Sequence, residues 1–202
     1  MFARIVGKAV NAIVWAQSRL GARVWLRRCD RVGTNTRTFW RPHVDNRGRI
    51  TIGSDVRINS HWAPVELMSG PDGEIDIADG VYINYGTLIA AERRVRIGAK
   101  VMIGNFAIIG DTDVPGFTDR ARGAAEPREI EIGAGAWLAA RVTVLPGARI
   151  GAGAVIAAGS VVAGVIPPNA VAGGIPARVL RAAQAPADAN VPPTLQPVES
   201  TR

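Results

Sequence analysis

A period of six residues runs through the second half of the chain. From residue 132 onward every sixth position is aliphatic, and these positions are Ile132, Leu138, Val144, Ile150, Ile156 and Val162. An α-helix has a period of 3.6 residues and a strand a period of two, so neither explains six consecutive matches. A period of six fits a chain wound into coils with three short flat faces, each face contributing one inward aliphatic side chain.

The same register extends upstream and predicts a core of stacked aliphatic residues. Earlier aliphatic positions in this register are Ile52, Ile58, Ile77, Ile83, Ile89, Ile97, Ile103 and Ile109. The fifth positions of the later hexapeptides, mostly small and suited to corners, are Ala136, Val142, Ala148, Ala154, Ser160 and Ile166. Aromatic residues make up only 5% of the chain, whereas 23 residues are Gly, which favours coils with tight turns over a helical bundle.

The repeat [LIV]-G-x-x-x-x over residues 45–181 resembles that of the hexapeptide-repeat acyltransferases. Within it, residues 130–181 resemble the C-terminal part of the maltose/galactoside-type sugar O-acetyltransferases, because the block at Trp137, "LPG", "IPPNAVAGG" and "PARVLR" match in order. The resemblance implies an all-β fold, a left-handed parallel β-helix, assembled as a homotrimer. We expect an N-terminal amphipathic helix before it and a short C-terminal helix after it.

The resemblance also implies acetyl-CoA as acyl donor, bound along the outside of the C-terminal coils between two subunits. The positions that match the family's cofactor site are Trp137, Ala140, Ala158, Gly159, Arg178 and Arg181. Small residues would let the pantetheine approach the backbone, and the arginines would meet phosphates as planar forks. The chain departs from the family at Ala163 and Gly164, where related enzymes often have Thr-Lys.

The stretch "IGNFAIIGDTDVPGF" breaks the repeat where related enzymes carry their catalytic histidine. That histidine falls on Val114 or Pro115, and neither side chain can transfer a proton. Asp113 and Asp111 are candidate bases, since burial and a like-charged neighbour raise the pKa of a carboxyl group. The alternative is an Asp-x-Asp turn whose side chains bond to the backbone.

His61 is a further candidate base, with Glu66 as its orienting partner and a substrate-binding candidate; the alternative is a histidine that caps a turn. An amine acceptor is a third solution, because it needs only modest help from a base. Asn84, in "VYINYG", matches an Asn of related enzymes that contacts the substrate, and Tyr85 is a substrate-binding candidate beside it. His43 is expected at the surface.

Residues 3–28 predict an amphipathic helix. Its apolar arc consists of Val6, Val10, Ile13, Leu20 and Val24. A separate arc is basic and consists of Arg4, Lys8, Arg19, Arg23 and Arg27. We favour packing of the apolar arc on the protein body or on a sister subunit. The alternative is that the helix lies on an anionic membrane surface, as a peripheral contact.

The charge and the side chains available exclude several function classes. The net charge is +7, but residues 1–50 hold eleven basic and two acidic residues, a balance of +9, and the remainder is slightly acidic. Basic patches interleaved with aromatics are absent, so nucleic-acid binding is not expected. Cys29 is the sole cysteine, which fits a reducing cytoplasm and an apolar filler. Two histidines do not make the three-histidine zinc site that some β-helix proteins use, so no metal is expected.

These observations divide the chain and predict its activity. We expect a helix over 1–30, a β-helix over 31–181 with loop insertions at 64–74 and 115–129, and a disordered tail over 182–202. The predicted function is a CoA-dependent acyltransferase that moves an acetyl group to a hydroxyl or amino group of a sugar or similar small molecule, as in polysaccharide biosynthesis. The alternative is a catalytically silent trimeric scaffold. We expect a cytoplasmic protein, with the inner membrane face as an alternative location.

Overall fold

The chain winds into coils that contribute one strand to each of three sheets. In a computed structural model, which describes residues 18–112 and 126–182, a helix (α1, 18–25) precedes 21 strands. The first sheet has seven strands: β1 Arg31–Val32, β4 Arg49–Ile52, β7 Glu74–Ile77, β10 Arg94–Ile97, β13 Ile130–Ile132, β16 Arg149–Ile150 and β19 Val165–Ile166. The second has eight: β2 Arg37–Phe39, β5 Arg57–Asn59, β8 Tyr82–Ile83, β11 Met102–Ile103, β14 Trp137–Leu138, β17 Val155–Ile156, β20 Val171–Gly174 and β21 Ala177–Arg181. The third has six: β3 His43–Asn46, β6 Glu66–Ser69, β9 Leu88–Ala91, β12 Ile108–Gly110, β15 Thr143–Val144 and β18 Val161–Val162.

Neighbouring strands of a sheet come from successive coils. Strand β10, for example, lies between β7 and β13 and pairs with both in parallel. Within the described residues, every pairing is parallel except that of β20 with β21. Coils stacked in this way form a parallel β-helix, so the predicted fold is confirmed.

The core consists of aliphatic ladders that run along the axis. In the first sheet, Ile52, Ile77, Ile97, Ile132 and Ile150 lie opposite one another in adjacent strands. The fourteen first-position aliphatics predicted from the period between residues 52 and 162 are each at most 3% exposed. Burial of one such side chain contributes roughly 1.5–3 kcal/mol. The ladders therefore stabilise a fold that has few aromatic residues in its core.

The last coil is shorter than the hexapeptide count predicts. That count puts Ile166 at a corner, which is wrong, because Ile166 pairs with Ile150 in the first sheet and so occupies a ladder position. Ile166 follows Val162 by four positions instead of six, and the corner between their strands is made by Ala163 and Gly164. The buried ladder position suits an isoleucine better than a corner would.

The first predicted insertion is a regular part of the β-helix. Residues 66–69 form β6, which pairs with β3 and β9, and only residues 70–73 turn. The prediction of a loop over 64–74 was wrong. Val65, Leu67 and Ser69 point inward at alternate positions, as in a strand of the third sheet, although Gly and Pro flank this segment. In the second predicted insertion, 126–129 run without a strand into β13, and 115–125 lie outside the described residues.

Helix α1 packs on the β-helix through a face that the sequence pattern did not single out. Ser18, Ala22 and Leu26 are buried, whereas Leu20 and Val24 of the predicted apolar arc are 61% and 58% exposed. The expectation that this arc packs on the chain's own body is therefore wrong for the described helix. The small Ala22 permits close approach, and Leu26 closes the first end of the core. Residues 1–17 of the predicted helix lie outside the described residues. No helix in 18–112 or 126–182 is long and apolar enough to span a membrane.

The described C-terminal segment is a strand, not a helix. Strand β21 turns back and pairs antiparallel with β20, so the short C-terminal helix is not found up to residue 182. The turn uses Gly174, whose φ of 100° favours glycine, and Pro176, which does not continue a helix. An extended chain here pairs with the edge that the last coil would otherwise leave open. The predicted disordered tail, apart from residue 182, lies outside the described residues.

Candidate active site

The corner between the second and third sheets repeats one backbone turn in four successive coils; we call it corner 2. Gly86, Phe106, Arg141 and Gly159 occupy it with φ angles of 67°, 55°, 59° and 70°. The main-chain N–H of each donates to a carbonyl oxygen of the preceding coil, with N–O distances of 2.8–3.1 Å. Corner 2 is therefore a line of solvent-accessible positions parallel to the axis.

Five rings follow one another at the N-terminal end of corner 2. This aromatic row consists of Trp40, His61, Trp62, Tyr85 and Phe106, with centroids of neighbouring rings 5.3–5.9 Å apart. Trp40 and Trp62 are 58% and 77% exposed. Exposed rings with this spacing offer flat apolar surface next to polar atoms, which suits a ligand that carries both.

Sequence reasoning missed three members of the row, although the sequence contains a signal for them. Trp40, Trp62, Tyr85 and Phe106 are separated by 22, 23 and 21 residues. Those spacings correspond to about one coil each, so the rings return to the same corner. The spacing alone does not identify the corner, because the first coils differ in length. The strand register is needed to show that these rings share one corner.

His61 accepts a hydrogen bond through its ring from a neighbour in the row. The Trp40 indole N–H donates to Nδ1 of His61, and the main-chain N–H of His61 donates to Oδ1 of Asn59 at 3.1 Å. A neutral imidazole that accepts at Nδ1 carries its proton on Nε2, so His61 presents a donor to the solvent. Trp40, and not the predicted partner Glu66, makes the hydrogen bond that the structure shows to this ring. Glu66 lies on β6 opposite His43 of β3.

Asn84 and Tyr85 lie near His61, linked to it through Asn59 and Trp62. Oδ1 of Asn84 accepts from the main-chain N–H of Tyr85 at 2.9 Å and from Nδ2 of Asn59 at 3.1 Å. Asn59 thus links the main chain of His61 to Asn84 across two coils. The structure brings His61, Asn84 and Tyr85 together at the aromatic row.

Asp111 is fully buried and holds a turn of the preceding coil. Its carboxylate accepts from the main-chain N–H groups of Glu92, Arg93 and Arg94 at 2.8, 2.7 and 2.6 Å. Both oxygens are engaged by backbone donors, which favours the backbone-bonding alternative over a base that contacts substrate. Asp113, the other carboxylate candidate, lies outside the described residues.

The predicted cofactor positions lie on two exposed rows near the C-terminal end. Ala140, Ala158 and Gly159 continue corner 2, and a side chain at Gly159 would meet no atom within 4 Å. Trp137 and Arg181 lie on one outward row of the second sheet, joined through Val155 and Val171.

Arg178 lies three residues before Arg181 on β21, and both are exposed. The six positions therefore flank open surface on the last coils.

Comparison with known proteins supports the repeat and the fold. The bacterial transferase hexapeptide family (six repeats) matches residues 129–164. The putative lipopolysaccharide biosynthesis O-acetyl transferase WbbJ of Escherichia coli K12 is 30% identical over 164 residues, covering 72% of this chain and 82% of WbbJ. The chain belongs to the hexapeptide-repeat transferase family.

Other known proteins match over a shorter span or in fold alone. The galactoside O-acetyltransferase of E. coli K12 is 34% identical over 132 residues, 65% of this chain, and the chain spans 63% of that protein's length. A variant of AntD, an N-acyltransferase from Bacillus cereus solved with dTDP-4-amino-4,6-dideoxyglucose and coenzyme A, superposes with a TM-score of 0.62 at 18% identity, over 84% of this chain and 90% of AntD. At that identity the likeness establishes the fold.

An open groove of about 960 Å³ lies between α1 and the first coils of this hexapeptide-repeat protein. Its walls are mainly apolar and include Leu20, Val24 and Trp25 of α1 on one side. Phe39 and Tyr82 line the other side, and the groove opens onto the aromatic row. The N-terminal half of the molecule therefore has an apolar groove that is separate from the exposed rows of the last coils.

Cys29 does not provide a nucleophile. Burial, and secondarily the negative charge of Asp30, raise the pKa of the Cys29 thiol to about 12, so it is protonated at neutral pH. Its side chain packs against the core, as the apolar-filler interpretation predicts. Among residues 18–112 and 126–182, no group of three or more His, Cys, Asp and Glu could hold a metal ion.

Replacement of Asp111 tests whether it holds the turn. We expect Asp111→Asn to lower the free energy of unfolding by about 2–4 kcal/mol, because an amide NH2 would face a buried backbone donor. Asp45→Asn is the control, since within the described residues Asp45 forms a surface ion pair with Arg47, and its effect should stay below about 1 kcal/mol. Chemical denaturation followed by circular dichroism measures both. Equal losses in the two variants would contradict the structural role.

Proposed function

We propose that the protein is a coenzyme A-dependent acyltransferase that moves an acetyl group to a hydroxyl or amino group of a sugar. The observation that carries the proposal is the arrangement of corner 2, which has an aromatic row with Asn84 at one end and small residues at the other, the half-buried Ala140 and the exposed Ala158 and Gly159. The similarity to WbbJ supports a cell-envelope polysaccharide precursor as acceptor.

The two ends of corner 2 would hold the two substrates. The pantetheine would run along Ala140, Ala158 and Gly159, where the backbone is accessible, and Arg178 and Arg181 would meet its phosphates. The sugar would stack on the aromatic row and bond to Asn84. By family resemblance, the coenzyme would lie between two subunits of a homotrimer.

The reaction needs a general base next to the sugar hydroxyl or amino group that receives the acetyl group. The sugar oxygen or nitrogen attacks the thioester carbonyl carbon, the carbon–sulfur bond breaks, coenzyme A leaves as the thiol, and the attacking group loses its proton. We propose Asp113 as the general base, since the Asp111 carboxylate is bonded to three backbone N–H groups and Nδ1 of His61 accepts from Trp40. His61 would instead donate a hydrogen bond from its Nε2–H to the sugar.

A second candidate function is a scaffold that binds coenzyme A or a partner without turnover. One observation favours it: of the candidate bases that the structure describes, both Asp111 and His61 have their acceptor atoms occupied. This function would retain the cofactor surface and lack acyl transfer.

Release of the coenzyme A thiol from acetyl-CoA separates the two functions. We expect release that depends on a sugar acceptor, in a panel that includes galactosides and amino sugars. Asp113→Asn should lower kcat by about 10²–10⁴ with little change in the KM for acetyl-CoA, because a general base contributes that much. Glu126→Gln removes the same charge from the same connection and should leave kcat within about twofold.

The outcomes of that assay are distinct. Binding of coenzyme A by calorimetry without release for any acceptor would establish the scaffold. Release that survives Asp113→Asn unchanged would refute Asp113 as base and leave the transferase intact.

Separate Michaelis constants test the assignment of the two ends of corner 2. We expect Trp62→Ala to raise the KM for the sugar about tenfold and to leave the KM for acetyl-CoA unchanged, since only the sugar would stack there. Arg178→Ala should do the reverse, by about 10–100-fold, through loss of a charge-assisted hydrogen bond. Arg149→Ala, an exposed arginine on the first sheet, is the control. If either variant raised both constants equally, the division would be wrong.

A further inference from the structure

Helix α1 leaves an apolar face uncovered. Its contact with the core of the β-helix uses Ala22 and the following Leu26, which lie one turn apart on one side. Leu20 and Val24 lie on another side and remain more than half exposed. The packing of α1 on the β-helix therefore does not explain why residues 20 and 24 are apolar.

Two exposed tryptophans extend this face. Leu20, Val24, Trp40 and Trp62 all line the same groove, and each is at least 58% exposed. We call these four residues the apolar patch. A contiguous exposed patch of large apolar side chains marks a surface that binds another surface. Indole rings, which are apolar with one polar N–H, are enriched where a protein meets the headgroup level of a bilayer.

The surroundings of the apolar patch are basic. At 100° per residue, Arg19, Arg23 and Arg27 occupy the arc of α1 between its buried face and Leu20. No carboxylate of the described residues forms an ion pair with Arg23 or Arg27. The first 29 residues contain no Asp or Glu, although the chain beyond residue 50 is slightly acidic.

We propose that the apolar patch and the arginines of α1 dock the protein on an anionic lipid bilayer. Leu20 and Val24 would enter the headgroup region, while Arg23 and Arg27 would meet lipid phosphates and the indole rings would lie at the edge of the contact, open to a sugar. Charge complementarity favours this partner over the same face of a second copy, because a two-fold contact would bring its arginines together, whereas lipid phosphates would compensate them. Docking would place the groove and the aromatic row at the lipid surface.

Vesicle co-sedimentation of the full chain tests the proposal. We expect binding to phosphatidylglycerol vesicles, weak binding to phosphatidylcholine vesicles, and loss of binding as salt rises. Leu20→Glu and Val24→Glu should each weaken binding about tenfold or more. Arg23→Gln should weaken it about fivefold, the effect of one basic residue at an anionic surface. Val165→Glu is the matched control, since Val165 is 71% exposed at the opposite end of the β-helix.

Circular dichroism and size-exclusion chromatography without vesicles accompany the binding series. Unchanged folding and unchanged size in the Leu20→Glu variant, together with lost vesicle binding, would support the lipid surface. Absence of binding to phosphatidylglycerol would overturn the proposal, as would equal binding by Leu20→Glu and the parent chain. A smaller assembly in Leu20→Glu would assign the apolar patch to contact between copies, which also overturns it.

Discussion

The register of buried aliphatic residues determines where every exposed residue lies. Ile77, Ile97, Ile132 and Ile150 stack in one ladder, and each step of that ladder aligns one coil with the next. Because the side chains of a strand alternate between its two sides, a fixed inward ladder also fixes the outward one. Alignment of the corners follows from the same register, so residues about one coil apart in sequence become neighbours in space.

Because of this alignment, the aromatic residues of the first coils and the small residues of the last coils lie in one row along corner 2. The first coils present rings from Trp40 to Phe106, and the last coils present Ala140, Ala158 and Gly159. A rigid parallel β-helix holds two such surfaces at a constant separation, as a reaction between two bound substrates requires. Asp111 and Nδ1 of His61 already accept hydrogen bonds from other groups of the protein. Neither group is therefore free to accept a proton in the proposed reaction, and the general base is proposed to be a different residue.

The period of six was sufficient to predict a coil with three faces and its aliphatic core, because burial of one aliphatic per face is a local rule repeated many times. It failed where coil length changed. Ile166 joins a ladder after four residues, and residues 66–69 form a strand between Gly and Pro turns. Of the residues that the structure brings together at the aromatic row, the sequence singled out His61, Asn84 and Tyr85, and their roles there stay predictions. The bond from Trp40 to His61 joins residues 21 apart, and this contact could not be inferred without the register.

A crystal structure with coenzyme A bound tests the central claim, that corner 2 holds both substrates on one line. The account predicts that the pantetheine follows Ala140, Ala158 and Gly159, with its sulfur directed toward Asn84 and Tyr85 and its phosphates near Arg178 and Arg181. Coenzyme A bound along another corner, or with its sulfur directed away from the aromatic row, would contradict it.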